Sequence, residues 1–65
     1  MNLILNGQEL QSNSSTLSEL LIEQGYGDAK VATAINGTLA PASLRDQNQL
    51  ENGDEIEIVA PMQGG

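Results

Sequence analysis

Two Asn-Gly pairs, Asn6-Gly7 and Asn36-Gly37, constrain this chain more than any other feature. A two-residue type I′ turn needs positive φ at both central positions, which Asn tolerates and Gly accepts freely, so each pair marks a β-hairpin. Residues 1–5 therefore read as a strand and residues 8–11 as its antiparallel return. Alternation places Met1, Leu3 and Leu5 on one face and Ile4 on the other, with Leu10 rejoining the leucine face across the hairpin. Before the second turn, residues 31–35 form another strand. Val31, Thr33 and Ile35 share one face of it, and Ala32 and Ala34 share the other. Leu39-Ala40-Pro41, after that turn, has room only for an edge strand.

A helix separates the two hairpins. Thr16-Leu17-Ser18-Glu19 matches a capping box, in which Thr16 accepts from the Glu19 N–H and Glu19 reaches back. Leu17, Leu20, Leu21 and Gln24 fall at i, i+3, i+4 and i+7, a stripe that needs a sheet to cover it. Glu19 and Glu23 face the other way, and Gly25 stops the helix at about residue 24. Residues 42–48 hold a helical turn with Ser43 as its candidate cap. Leu50 then plugs the core, and Gly53-Asp54 turns into a last strand, residues 55–59. There Ile56 and Ile58 alternate with Glu55, Glu57 and Val59. This order predicts an α+β fold, a mixed sheet of four to five strands packed on one short helix. A single domain over residues 1–60 is expected, with a carboxyl-terminal tail over 61–65. Its expected core is Leu3, Leu5, Leu17, Leu20, Leu21, Ile35, Leu50, Ile56 and Ile58. Periodicity leaves open which strands are neighbours.

Composition removes most chemistry. With 65 residues, no Cys and no His, the core rests on aliphatic packing without disulfides or Cys/His zinc sites. No base of suitable pKa stands ready to activate Thr33 or a serine. Glu55 and Glu57 read as a solvated strand face rather than an acid/base pair. Residues 46–51 fail as a calcium loop because Glu51 stands where Gly is required. Gly25-Tyr26-Gly27 with Lys30 lacks the remainder of a phosphate loop. Tyr26 reads as cover for the helix end. Only Lys30 and Arg45 oppose nine acidic residues, for a formal net charge of −7. That balance disfavours nucleic acid and anionic membranes and suits a basic protein partner. With no signal-like or spanning segment legible, a cytoplasmic location is expected.

The carboxyl end is the one element suggesting chemistry. Residues 61–65 close in Met62-Gln63-Gly64-Gly65 and have an extended reach of roughly 17 Å. Two residues without Cβ suit entry of a terminal carboxylate into a narrow slot; the plain alternative is a frayed tail.

Taken with that end, the chain resembles the ThiS family, the ubiquitin-like β-grasp sulfur carriers of thiamine biosynthesis. The resemblance rests on Leu3-Ile4-Leu5-Asn6-Gly7, Thr16-Leu17-Ser18-Glu19-Leu20-Leu21, Val31-Ala32-Thr33-Ala34-Ile35-Asn36-Gly37, Leu39-Ala40-Pro41, Leu50-Glu51-Asn52-Gly53-Asp54-Glu55-Ile56-Glu57-Ile58 and Gly64-Gly65. It implies that the Gly65 carboxylate is adenylated by a partner enzyme of the ubiquitin-activating kind, which uses ATP and Mg; the chain itself binds no cofactor or metal. A sulfur donor protein then yields a thiocarboxylate, which thiazole synthase consumes. On this reading the chain is a co-substrate rather than an enzyme, and monomeric when free. Gly65 is the reacting residue, and Gly64, Gln63 and Met62 form its handle. The open sheet face, with Ile4, Ala32, Ala34 and Val59, is the expected docking surface, against a competing reading as scattered surface aliphatics. Ala60-Pro61-Met62-Gln63 departs from the aromatic or large aliphatic approach common in the family. That departure is closer to a molybdopterin synthase small subunit; another sulfur pathway and a ubiquitin-like binding module that never reacts are the remaining alternatives.

Overall fold

A computed structural model describes residues 1–27 and 29–60. The elements follow as β1 (Asn2–Leu5), β2 (Gln8–Gln11), α1 (Leu17–Glu23), β3 (Ala32–Ile35), β4 (Thr38–Leu39), a 3₁₀ turn (Ala42–Leu44) and β5 (Glu55–Val59). They build one five-stranded sheet in the order β2-β1-β5-β3-β4. β1 and β5 run parallel at its centre, while the β1–β2, β3–β4 and β3–β5 pairs are antiparallel. The sheet is thus mixed, with one helix covering it, as a β-grasp fold requires. None of the described helices is long and apolar enough to cross a membrane.

Both Asn-Gly pairs form the hairpin turns, with φ of 49° and 83° at Asn6 and Gly7 and 52° and 83° at Asn36 and Gly37. The helix begins at the Thr16 cap, whose side chain accepts from the Glu19 N–H at 3.2 Å. The Glu19 carboxylate reaches back to the Ser15 N–H at 2.7 Å, one residue earlier than a standard capping box. The Leu17 and Ser18 N–H groups donate to the Asn48 and Arg45 carbonyls, so the connection before β5 satisfies donors that a helix start leaves orphaned. At the other end the Gly25 N–H donates to Ile22 O and the Tyr26 N–H to Leu21 O, a Schellman closure made possible by φ of 89° at Gly25.

Leu17, Leu20 and Leu21 pack against Leu3, Ile56 and Ile58 from the sheet, with Leu50 and Ala40 completing the buried cluster. Leu5 and Ile35, at the strand ends just before the two turns, are only partly covered, as are Leu10, Tyr26 and Val31.

Ser43 does not cap the turn that follows β4. Pro41 occupies the cap position without any side-chain hydrogen bond, and Ser43 lies inside the turn. Proline already sets the extended entry at φ −60°, and the backbone closes the turn through Leu44 N–H to Pro41 O. Arg45 straps this region to β3: its Nε donates to Thr33 Oγ1 at 3.2 Å and its Nη2 to Val31 O at 2.6 Å. Thr33, buried on the helix side, donates in turn to Ala40 O at 2.8 Å. One of the chain's two cations is therefore spent inside the fold.

Candidate functional site

The face of the sheet opposite the helix is built by simple alternation. Because Ile56 and Ile58 point into the core, Glu55, Glu57 and Val59 of β5 must point out. Pairing then determines what stands beside them. Ala32 lies opposite Val59, and Ala34 lies opposite Glu57 on one side and Leu39 on the other. Ile4 of β1 is paired with Glu9 and with Glu55.

The result is two shallow hollows sharing one wall. Ala32, Ala34, Leu39 and Val59 line the first, an apolar depression bordered by Glu57. Ile4, Asn6 and Gly7 line the second together with Glu55 and Glu57. Three of the four residues expected to form a docking surface, Ala32, Ala34 and Val59, thus come together. Ile4, half-buried, stands apart on the far side of Glu57. Val59 is 62% exposed, and Leu39, at 69%, is the most exposed large aliphatic residue on this face. Leu39 was legible in principle, since a two-residue turn at Asn36-Gly37 pairs it with Ala34 on the same side.

The electrostatics are one-sided. Glu9, Glu55 and Glu57 are all exposed on this face, while Arg45 is turned toward β3 beneath it. Among the described residues no acidic cluster is arranged to hold a metal ion. The arrangement can therefore present an apolar depression with a carboxylate rim.

Gly65, Gly64, Gln63 and Met62 lie outside the described residues. The structure does define where the chain departs toward them. β5 ends at Val59 on the border of the apolar hollow, and Ala60 follows it, exposed. Just before that point the Asn6 side chain grips Ile58: Ile58 N–H donates to Asn6 Oδ1 at 2.9 Å, and Asn6 Nδ2 donates to Ile58 O at 3.3 Å. Asn6 was read from sequence as a turn residue alone.

Comparison with known proteins gives a consistent picture. The family model described as the ThiS family matches residues 3–65. A thiazole synthase of Paramagnetospirillum magneticum is 41% identical over 66 residues, which cover 100% of this chain and 20% of that protein. The chain therefore spans about a fifth of that relative's length. The crystal structure of a thiamine biosynthesis protein (ThiS) from Geobacter metallireducens superposes with a TM-score of 0.84 at 28% identity, covering 100% of both chains. A solution structure of a thiamine biosynthesis protein from the same organism gives 0.83 at 26% identity, covering 100% of this chain and 88% of that one.

Proposed function

The chain belongs to the ThiS family, and from that premise we propose that it is a sulfur carrier of thiamine biosynthesis whose Gly65 carboxylate becomes a thiocarboxylate. A carboxylate is a poor electrophile, so it must first gain a leaving group. One carboxylate oxygen attacks the α-phosphorus of ATP on an activating partner, and pyrophosphate departs with its magnesium. The outer sulfur of a donor protein's persulfide then attacks the acyl carbon of the adenylate, and AMP leaves. A thiol next attacks the donor's sulfur in the resulting acyl disulfide, breaking the S–S bond and releasing the thiocarboxylate. The thiocarboxylate so formed delivers its sulfur to thiazole synthase.

The observation that carries this reading is a family match that extends through residue 65, so that Gly64 and Gly65 are inside it. The likeness to thiamine biosynthesis proteins supports the thiamine branch over the molybdopterin alternative. The role assigned to this chain's own residues is presentation. Ala32, Ala34, Leu39 and Val59 offer an apolar seat, with Ile4 beyond Glu57. Glu9, Glu55 and Glu57 suit a partner surface carrying Arg or Lys, which speeds encounter and sets orientation. From Ala60 the remaining five residues reach roughly 17 Å when extended, enough to carry a carboxylate away from the docked face.

Glycine at position 65 keeps the carbon next to the attacked carboxyl free of side chain. Gly65→Ala retains the carboxylate but adds a methyl group there. Pyrophosphate release by the cognate activating enzyme should fall by up to about 100-fold, the cost of a small misplacement of a reacting group. Wild-type turnover by a chain lacking both terminal glycines would leave a non-reacting ubiquitin-like module as the better account.

A further inference from the structure

The parallel pairing of β1 with β5 is short. It covers Ile4 with Glu55 and Leu5 with Ile56, and the Asn6 N–H donates to Ile56 O at 2.9 Å. At Asn6 the chain enters its left-handed turn and leaves toward β2. β5 continues without it to Val59, paired on its other side with β3 through Thr33–Ile58 and Ala32–Val59. Along a strand, the N–H and C=O of one residue point to the same side and alternate from residue to residue. Those of Ile58 point, like those of Ile56, toward the place where β1 has ended.

The Asn6 side chain fills that place. A primary amide carries a donor and an acceptor side by side, as a peptide unit does, and here it satisfies both backbone groups of Ile58. The amide orientation follows from this pairing, since the reverse would oppose two donors and two acceptors. Asn36 shows that the turn does not by itself demand such a contact. It has the same dipeptide and nearly the same φ, yet its amide serves the start of β5. There its Oδ1 accepts from the Glu55 N–H at 2.9 Å and its Nδ2 donates to Asp54 Oδ1 at 3.0 Å.

We propose that the Asn6 amide is a positioning residue for the reacting tail, fixing the backbone of Ile58 so that the last strand releases the chain at one point and in one direction. This rests on the reading of Gly65 as the activated residue. Ile58 is held from three sides: its side chain is in the core, β3 flanks one edge, and Asn6 closes the other. Loss of the amide moves the last residue supported on both edges back to Ile56. Ile58 and Val59 are then held by β3 alone, and from this looser root the carboxylate samples more positions in the partner's site. Asn6 borders the second hollow but not the apolar seat of Ala32, Ala34, Leu39 and Val59, so docking through that seat is kept. The loss falls on the chemical step rather than on association.

The test uses Asn6→Gly with Asn36→Gly as its matched control. Glycine accepts positive φ, so both turns survive while each loses its amide. Amide hydrogen exchange at Ile58 should accelerate roughly tenfold in Asn6→Gly and stay unchanged in Asn36→Gly. With the cognate activating enzyme, ATP and magnesium, kcat for pyrophosphate release should fall about tenfold or more in Asn6→Gly, with KM near that of the wild type. Asn36→Gly should keep the wild-type kcat. Equal kcat for the two variants, or unaltered Ile58 exchange, overturns the assignment. A rise in KM alone overturns it too, by placing Asn6 on the docking side. If the wild type itself shows no activation while Ile58 exchange responds as expected, the reading of Gly65 has failed, and the assignment to a reacting tail falls with it.

Discussion

Strand β5 carries two unlike surfaces one residue apart. Ile56 and Ile58 are 1% and 6% exposed beneath the helix, whereas Val59 is 62% exposed on the open face beside Glu55 and Glu57. The covered surface supplies most of the burial that holds a small domain together. The open one contributes little to folding, so its side chains are available for a partner. A chain of 65 residues buries only about 60% of its unfolded surface, which leaves no room for both a deep cleft and a core. Strand alternation meets that limit by separating a covered surface from an open one on the same strand.

Substitutions on the two surfaces should therefore differ in kind. The largest stability effect is expected at Leu20, fully buried under the sheet. Leu20→Ala removes burial and leaves a cavity, at a cost of about 2–5 kcal/mol. In a domain stable by only about 5 kcal/mol, thermal melting should approach complete unfolding at room temperature. A negligible shift would break the distinction between the faces.

Arg45→Met comes next. It removes two hydrogen bonds and leaves Val31 O and the buried Thr33 hydroxyl short of a donor, costing about 1–3 kcal/mol by chemical denaturation. Val59→Glu, on the open face, should change stability by no more than about 0.5 kcal/mol. It should nonetheless weaken capture by the activating enzyme, read by titration calorimetry, because it adds charge to the apolar hollow. A large loss of stability with unaltered binding would reverse the roles given to the two faces.

Much of this division was legible in the sequence. The Asn-Gly pairs located both hairpins, alternation sorted β5 correctly, and the leucine spacing gave the helix its buried side. Adjacency was not legible, because periodicity records which way a side chain faces and not which strand lies beside it. The parallel β1–β5 pair joins residues some fifty positions apart, and so does the Asn6 contact with Ile58. Arg45 escaped notice because a lone arginine in a polar connection reads as solvated surface. A signal did exist: Thr33 on the inward face of a strand is a buried hydroxyl that needs partners. Ser43 was misplaced because proline and backbone bonds can start a 3₁₀ turn without a side-chain cap. Within the open face, the hairpin register rather than composition brings Leu39 beside Ala34, and Glu57 separates Ile4 from that group.

The central claim is that the open face presents a tail whose Gly65 carboxylate takes up sulfur. Intact mass tests it most directly. The wild-type chain and a chain lacking Gly64 and Gly65 are each incubated with the cognate activating enzyme, ATP, magnesium and a sulfur source. The account predicts that the wild type alone exchanges one oxygen for sulfur, at its terminal residue, and only when ATP is present. An unchanged wild-type mass, or the same exchange in the truncated chain, would contradict it.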